Sequence, residues 1–541
     1  MNLRLLTRTA APAALAAAAV LLAGCGSTVA VSERRYVENG GSASGFNDGL
    51  GGATSQGGQS YGSGGEIATA PTSGGGGLTG SAGNGGSPSS VSGGGGGATS
   101  TGSTGVSPGG HSTGPGTGKT GYNAIPKTGR GWDAHNVYIG VTTVNDIGTV
   151  ATALGLKNAN PGNQVKDGKA MVDELNREGG LFGRKVVEVA NNVSTASMLV
   201  NAQQDGAEAC THFTQDRPVV AVWNTLTPLD TPTFRSCFEQ AKIPLLSGSI
   251  APTDTAALNA LHGYATSVIS PSFTDLAPVL VSRLKAEGYF SGWNTTAGAP
   301  GNAPVKIGII AKNDSTGTRA AAILSGVLAR AGYPPTAQFN YTVSASGTSS
   351  NLSSAVLQFR SRGITHVFST DNGYGMFLQQ ADSQKYYPRS AITTFDTPAL
   401  LTTNVSKKVL IGAMGLGEDP SVDVDFGQDP GYITPAEKSC LAEQEKLQSY
   451  KGLRFAEAVA LEYCDAFRLI KAAALAGGGL TGPQVVAGLQ RAGPSFVPAI
   501  TFTSNLHRND FALPGAGRDL AFESKCGCFA YTSTTNYRFG G

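Results

Sequence analysis

Catalysis needs particular side chains at particular spacings, and this chain offers few of them. Its six histidines (His111, His135, His212, His262, His366 and His507) are scattered. There is no H-E-x-x-H pair and no cysteine–histidine pair at a recognisable spacing. Gly58-Gln59-Ser60-Tyr61-Gly62 and Gly110-His111-Ser112-Thr113-Gly114 match the G-x-S-x-G hydrolase elbow. That chemistry requires a strained strand-to-helix turn, and no strand-like run precedes either match. Gly114-Pro115-Gly116-Thr117-Gly118-Lys119-Thr120 imitates a phosphate loop but is one residue short between its outer glycines. It also lacks the strand before and the helix after. What remains is a set of polar residues that follow apolar, strand-like runs, which suits binding better than catalysis. No cofactor motif and no metal motif is present, and the expectation is a non-enzyme.

The elements that must hold those residues begin late in the chain. Of 76 glycines in 541 residues, 34 lie between Gly26 and Arg130. A stretch that is one-third glycine cannot build a packed core, so residues 26–130 read as a disordered Gly/Ser/Thr-rich tether. Roughly 410 residues are left for folding, enough for two lobes. Thirty-nine basic against 37 acidic residues, net +2, excludes binding of nucleic acid by bulk charge.

Residues 1–25 read as an export signal, with Arg4 and Arg8 followed by an Ala/Leu run from Ala10 to Ala23. That run is shorter than the about 20 apolar residues a spanning helix needs. It ends in Leu22-Ala23-Gly24-Cys25, which resembles the lipobox of bacterial lipoproteins. The resemblance implies that Cys25 carries lipid and anchors an extracytoplasmic protein to the bacterial cell membrane. A flexible tether of this length spans on the order of 50–60 Å, so it would act as a leash. Six cysteines remain, an even number in an oxidising compartment, which suggests three disulfides. Cys210 and Cys237, on consecutive predicted helices, are expected to pair. Among Cys440, Cys464, Cys526 and Cys528 the pairing stays open. Cys526 and Cys528 share one strand face if extended, so each is expected to bond a helical cysteine. Paired C-x2–4-C spacing is absent, which disfavours a thiolate metal site.

From Asn136 onward apolar runs alternate with amphipathic stretches. Val137–Val141, Val186–Val189, Val219–Trp223 and Ile243–Leu246 read as strands, with helices at Gln164–Glu178, Thr195–Glu208 and Thr233–Lys242 between them. The alternation restarts after residue 271, with strands at Val305–Ile310, Phe339–Val343, Thr365–Ser369 and Ala391–Phe395. Single helices between strands imply βαβ units. The predicted fold class is α/β: two doubly wound parallel-sheet lobes joined by a hinge. Residues 131–271 and about 398–500 are expected to form the first lobe. Residues 272–397 and about 501–541 are expected to form the second. Ligands of such sheets bind beyond the carboxyl ends of strands.

One stretch adds a resemblance. Asp173-Glu174-Leu175-Asn176-Arg177-Glu178-Gly179-Gly180-Leu181-Phe182-Gly183-Arg184-Lys185-Val186 is similar to a motif of type I periplasmic binding proteins, in the leucine/isoleucine/valine/amide class of ABC importers. Ile243-Pro244-Leu245-Leu246-Ser247 resembles the fourth strand of that class and the serine loop after it. The resemblance implies a monomer that captures a small polar solute between its lobes and delivers it to ABC importer permease subunits. A sensor on the same fold and an exported α/β enzyme are the rival readings. Carried over loop by loop, the implied ligand-binding residues are Asn145, Asp146, Asn224, Thr225, Ser247, Gly248, Ser249, Asn313, Asp314, Asp371, Asn372, Tyr374, Asp396 and Thr397. Asp396, after an apolar strand, is the expected partner of a ligand ammonium group. The loop Ser247–Ala251 is shorter than in amino-acid binders, and Trp223-Asn224-Thr225 replaces their serine-rich loop.

Overall fold

The structure, a computed structural model, describes residues 125–144, 146–149, 157–343, 347–425, 427–428 and 434–540. Cys25, residues 26–124 of the expected tether and Asn145 lie outside them, whereas residues 125–130 are described, with Arg130 donating to the Ala241 and Thr214 carbonyls. Five strands form the first sheet: β1 (Asn136–Val144), β2 (Lys185–Val193), β3 (Ala221–Asn224), β4 (Leu245–Ser247) and β5 (Ala265–Ser267). Their order is β2-β1-β3-β4-β5, and all pairs are parallel. Val137, Ile139 and Val141 are fully buried because helices cover both faces of the sheet.

The resembling motif has a clear physical content. Asn163 caps the helix Gln164–Arg177 by accepting from Lys166 N–H. Near the other end Asn176 clamps β2, accepting from Val186 N–H at 2.7 Å and donating to Val186 C=O at 2.9 Å. The chain then reverses through Gly180 at φ +68, where a Cβ would lie 1.9 Å from the Arg184 carbonyl oxygen. Only glycine fits both demands.

The second lobe begins with a helix, Phe273–Ala286, and a small hairpin of β6 (Trp293–Asn294) and β7 (Ala299–Pro300). Its sheet contains β8 (Ile307–Lys312), β9 (Ala337–Tyr341), β10 (His366–Ser369), β11 (Arg389–Thr393), β12 (Met414–Gly417), β13 (Ala516–Glu523) and β14 (Cys528–Tyr531). The order is β14-β13-β12-β11-β10-β8-β9, with β13 and β14 antiparallel and β15 (Tyr537–Arg538) beside β13. The helices Pro435–Gln444, Arg454–Gly477 and Gly482–Ala492 return to the first lobe. Phe467, Leu469 and Ile470 of the long helix join Val137, Ile139 and Trp223 in one core.

Two expected boundaries shift. Residues 398–417 stay with the second lobe, because β12 extends its sheet. The signal was weak: Met414-Gly415-Leu416-Gly417 is half glycine. Gly415 is required there, since a Cβ would lie 1.7 Å from the Ile392 carbonyl oxygen. At the other end, Phe511, Ala512 and Leu513 pack into the first-lobe core, and Ala512 bridges Ser267 of β5. The chain rejoins the second sheet only at β13.

Cys210 and Cys237 are bonded as expected. The other pairs are Cys440–Cys464, which ties two helices of the first lobe, and Cys526–Cys528. The expectation that each of Cys526 and Cys528 would bond a helical cysteine is corrected. Residues 524–527 form a tight turn between β13 and β14 rather than extended strand. That turn brings the two Cα atoms to 5.2 Å, within disulfide reach.

Candidate functional site

A cleft enclosing about 790 Å³ of empty space, its open mouth included, lies where strand ends of the two sheets meet. Val144 at the end of β1, Thr225 after β3 and Gly248 after β4 line it from the first lobe. Thr394 and Thr397 after β11, with Asp419 and Val422 after β12, line it from the second. The long helix adds Phe455, Val459 and Glu462, and Gln164, Met198, Thr227 and Ile250 complete much of the wall. With Ile147, Pro161, Leu226, Pro228 and Ile269, eleven of the nineteen lining residues are apolar, as in small-molecule sites generally. Gly248 is confined, because a Cβ there would lie 2.5 Å from the Trp223 ring and 3.1 Å from Glu462 Oε2.

Of the fourteen sequence-derived ligand residues, the structure brings Thr225, Gly248 and Thr397 to this cleft. Thr397 has φ +46, uncommon for a β-branched residue. Its hydroxyl donates to the Asp396 carbonyl at 2.8 Å, which helps to hold that conformation.

Most of the others are occupied by their own backbone. Asp146 Oδ1 accepts from the N–H (2.9 Å) and hydroxyl (2.6 Å) of Thr195. Asn224 Oδ1 accepts from Thr142 Oγ1 and Leu226 N–H. Ser247 donates to Asp230 at 2.6 Å and accepts from Ser249 N–H, while Ser249 Oγ accepts from Ala251 N–H. Asp314 caps the helix Ser315–Arg330, and its neighbour Asn313 is exposed. Asp371 ties together Tyr341, Gly373 and Lys312. Next to it Asn372 is half-buried and lines no part of the cleft, and Tyr374 is buried in the core with its hydroxyl on Ser390. Asp396 is buried behind Thr397: Oδ2 accepts from Thr393 N–H at 2.8 Å, and Oδ1 has no partner. These are cap and turn roles that end-of-strand polar residues commonly take.

The groups that sequence reasoning missed are carboxyls. Asp419 lines the cleft, with Oδ1 accepting from the N–H and hydroxyl of Ser421. Behind it Asp423 accepts from Thr394 Oγ1 at 2.8 Å and Tyr531 Oη at 2.6 Å, and both oxygens of Glu418 are buried without hydrogen-bond partners among the described residues. Glu462 belongs to the helix Arg454–Gly477 that packs on the first lobe. Burial raises Asp419 to about 7 and holds Glu418, Asp423, Glu462 and Asp396 above the usual carboxylate range. The signal available in sequence was only their presence, in Glu418-Asp419-Pro420-Ser421-Val422-Asp423 and mid-helix.

This electrostatic pattern has a testable consequence. A carboxyl whose folded pKa lies above its unfolded value of about 4 favours the fold when protonated and loses that contribution as pH rises towards the folded value. Asp167, Glu188, Asp419 and Asp465 are each raised to about 7 by burial, and Asp510 to about 6. His366, lowered to about 4 by burial, acts the other way below its unfolded value of about 6.5. Several groups oppose one, so the unfolding midpoint of the ligand-free chain should rise by several degrees between pH 8 and pH 5. Calorimetric scans across that window check it, and a falling midpoint would mean the buried carboxyls are ionised in the fold.

No family model matches the sequence, and no curated protein does. Solved structures resemble it in shape. An ABC transporter substrate-binding protein from Desulfitobacterium hafniense, complexed with Leu, superposes with a TM-score of 0.50 at 17% identity. That match covers 73% of this chain and 100% of the other. A branched-chain amino acid ABC transporter protein from Thermus thermophilus with bound valine gives 0.53 at 11% identity, over 75% and 96% of the two chains. A fatty acid ABC transporter substrate-binding protein from Thermomonospora curvata gives 0.53 at 12%, over 77% and 96%. With two mainly parallel sheets and these likenesses in shape, the chain has the type I periplasmic binding protein fold.

Proposed function

We propose that this protein is an extracytoplasmic solute-binding protein, anchored through a lipid on Cys25 and acting as a monomer. It captures one small solute between its lobes and hands it to the permease of an ABC importer. The observation that carries the reading is the cleft itself, at the carboxyl ends of β1, β3, β4, β11 and β12. Its apolar wall, interrupted by a few hydroxyls and carboxyls, suits a solute with an apolar body and one polar end. Similarly shaped proteins named for leucine, valine or fatty-acid binding support it. Closure of the lobes on the ligand would shift an open–closed equilibrium and create the surface a permease recognises.

The test is a thermal-shift screen of the mature full-length chain, unfolded and refolded to strip carried ligand. The panel comprises amino acids, amides, amines, sugars and organic acids. A ligand at about 100 times its Kd stabilises by roughly 2.7 kcal/mol, which shifts the midpoint by several degrees. A saturable hit without turnover supports binding, and loss of uptake of that compound in cells lacking the chain supports transport. Turnover of the hit, or no hit in any class, would overturn the reading.

A further inference from the structure

We propose that the cleft selects an organic cation: an amine with an apolar body and no carboxylate, its ammonium held between Glu462 of the long helix and Asp419 after β12. This deepens the solute-binding reading and rests on it.

Glu462 lines the cleft, is only 9% exposed, and among the described residues neither accepts a hydrogen bond nor joins an ion pair. Asp419 faces the same space from the second sheet, with Oδ1 engaged by Ser421 and Oδ2 making no hydrogen bond among the described residues. No lysine, arginine or histidine lines the cleft among the described residues. The nearby Arg454 guanidinium donates to Glu457 at 2.8 Å and to the Pro420 carbonyl at 2.7 Å, and its charge partly offsets the effect of burial on Asp419. Two carboxyls from opposite sides of a cleft repel when ionised. A cation between them removes that repulsion and so favours the closed arrangement. An ammonium group brings three donors, enough for both carboxyls and a neighbouring threonine hydroxyl.

A ligand carboxylate finds no matching cradle. Five backbone N–H groups of the first-lobe loops, the usual anion holders, are already spent. Thr225 N–H donates to Thr142 Oγ1 and Leu226 N–H to Asn224 Oδ1. Gly248 N–H goes to Asn224 C=O, Ser249 N–H to Ser247 Oγ, and Ile250 N–H to Thr227 Oγ1. An α-amino acid bound here would bury its carboxylate beside two acids, with the Gln164 amide and the Thr227 hydroxyl as the side-chain donors of the wall, which is costly.

Titration calorimetry on the refolded mature chain separates the possibilities, using 2-phenylethylamine, phenylalanine and 3-phenylpropionate, then 3-methylbutylamine, leucine and 4-methylpentanoate. In each triad the amine should bind at least about tenfold more tightly than the amino acid, and the acid should bind weakest. Glu462→Gln and Asp419→Asn should each weaken the amine by about tenfold or more, with unfolding midpoints equal to or above that of the native chain. Unchanged amine affinity in both variants would overturn the proposal. So would an amino acid or acid that matches the amine, or a screen whose hits are confined to neutral or anionic solutes. Those results would leave the solute-binding reading standing. Absence of saturable binding by every compound tested would overturn both.

Discussion

Asp371→Ala should lower the stability of the chain by about 3–5 kcal/mol and leave the affinity for any cleft ligand within about twofold. Asp371 was expected to touch a ligand, but its carboxyl is only 2% exposed and is consumed by the second lobe. Oδ1 accepts from Tyr341 Oη at 2.5 Å and from Gly373 N–H at 2.8 Å, and Oδ2 accepts from Lys312 N–H at 2.9 Å. The carboxyl thereby fastens the end of β8, the end of β9 and the turn after β10. Truncation leaves two buried donors and the part-buried Lys312 N–H unsatisfied, and each costs about 1–3 kcal/mol less whatever water restores. Gly373 shows how tightly the site is built, since a Cβ there would lie 1.9 Å from Tyr341 Oη. Asp371→Asn should fall between the two, because its amide can still accept from Tyr341 but presents donors towards Lys312 N–H. Urea denaturation, with ligand titration at low urea, checks both halves. A stable Asp371→Ala variant that no longer binds would return Asp371 to the ligand site.

The second large effect concerns Arg389, the first residue of β11. Its side chain is buried, and no carboxylate pairs with it among the described residues. Nη1 donates to the carbonyls of Gly288 and Tyr289 at 2.8 and 2.6 Å and to Ser291 Oγ at 2.9 Å. Nε donates to the Gly412 carbonyl at 3.3 Å. The guanidinium also lies over Tyr289 and Trp293, 5.2 and 5.4 Å from their ring centres. One planar group thus joins the turn after the first helix of the second lobe, the β6 strand and the approach to β12. Arg389→Met should cost about 2–4 kcal/mol. That is less than the bonds would sum to, because the desolvation cost of the charge disappears with it. Arg389→Lys should lose nearly as much, since an ammonium cannot present the forked donors that reach carbonyls on two sides. Both variants would be compared by chemical denaturation. An unchanged midpoint for Arg389→Met would show that the carbonyls find other donors.

The legible parts of this sequence are those whose cause is local. Apolar runs at Val137–Val141 and Val219–Trp223 became buried parallel strands because a run that is apolar on both faces has one stable home. The Asn176–Gly180 motif became a clamp and a reversal because its residues act within ten positions of one another. Cys210 and Cys237 paired because consecutive helices pack side by side. β12 was not legible, since two glycines, one demanded by the Ile392 carbonyl, erase the strand signal. The Cys526–Cys528 turn was missed because alternation was assumed where the chain bends.

Fold class and the general position of a cleft were therefore determined by sequence alone, through hydrophobic periodicity and the rule that strand ends bind. Which side chains face that cleft was decided only by the tertiary structure. An oxygen at a strand end can serve a ligand or its own backbone, and residues such as Asp146, Asn224, Asp371 and Asp396 found backbone partners nearby. Glu462 and Asp419 gained their exposure to the cleft from the packing of one long helix against the loop after β12. That contact joins elements formed separately, and no local pattern in the chain encodes it.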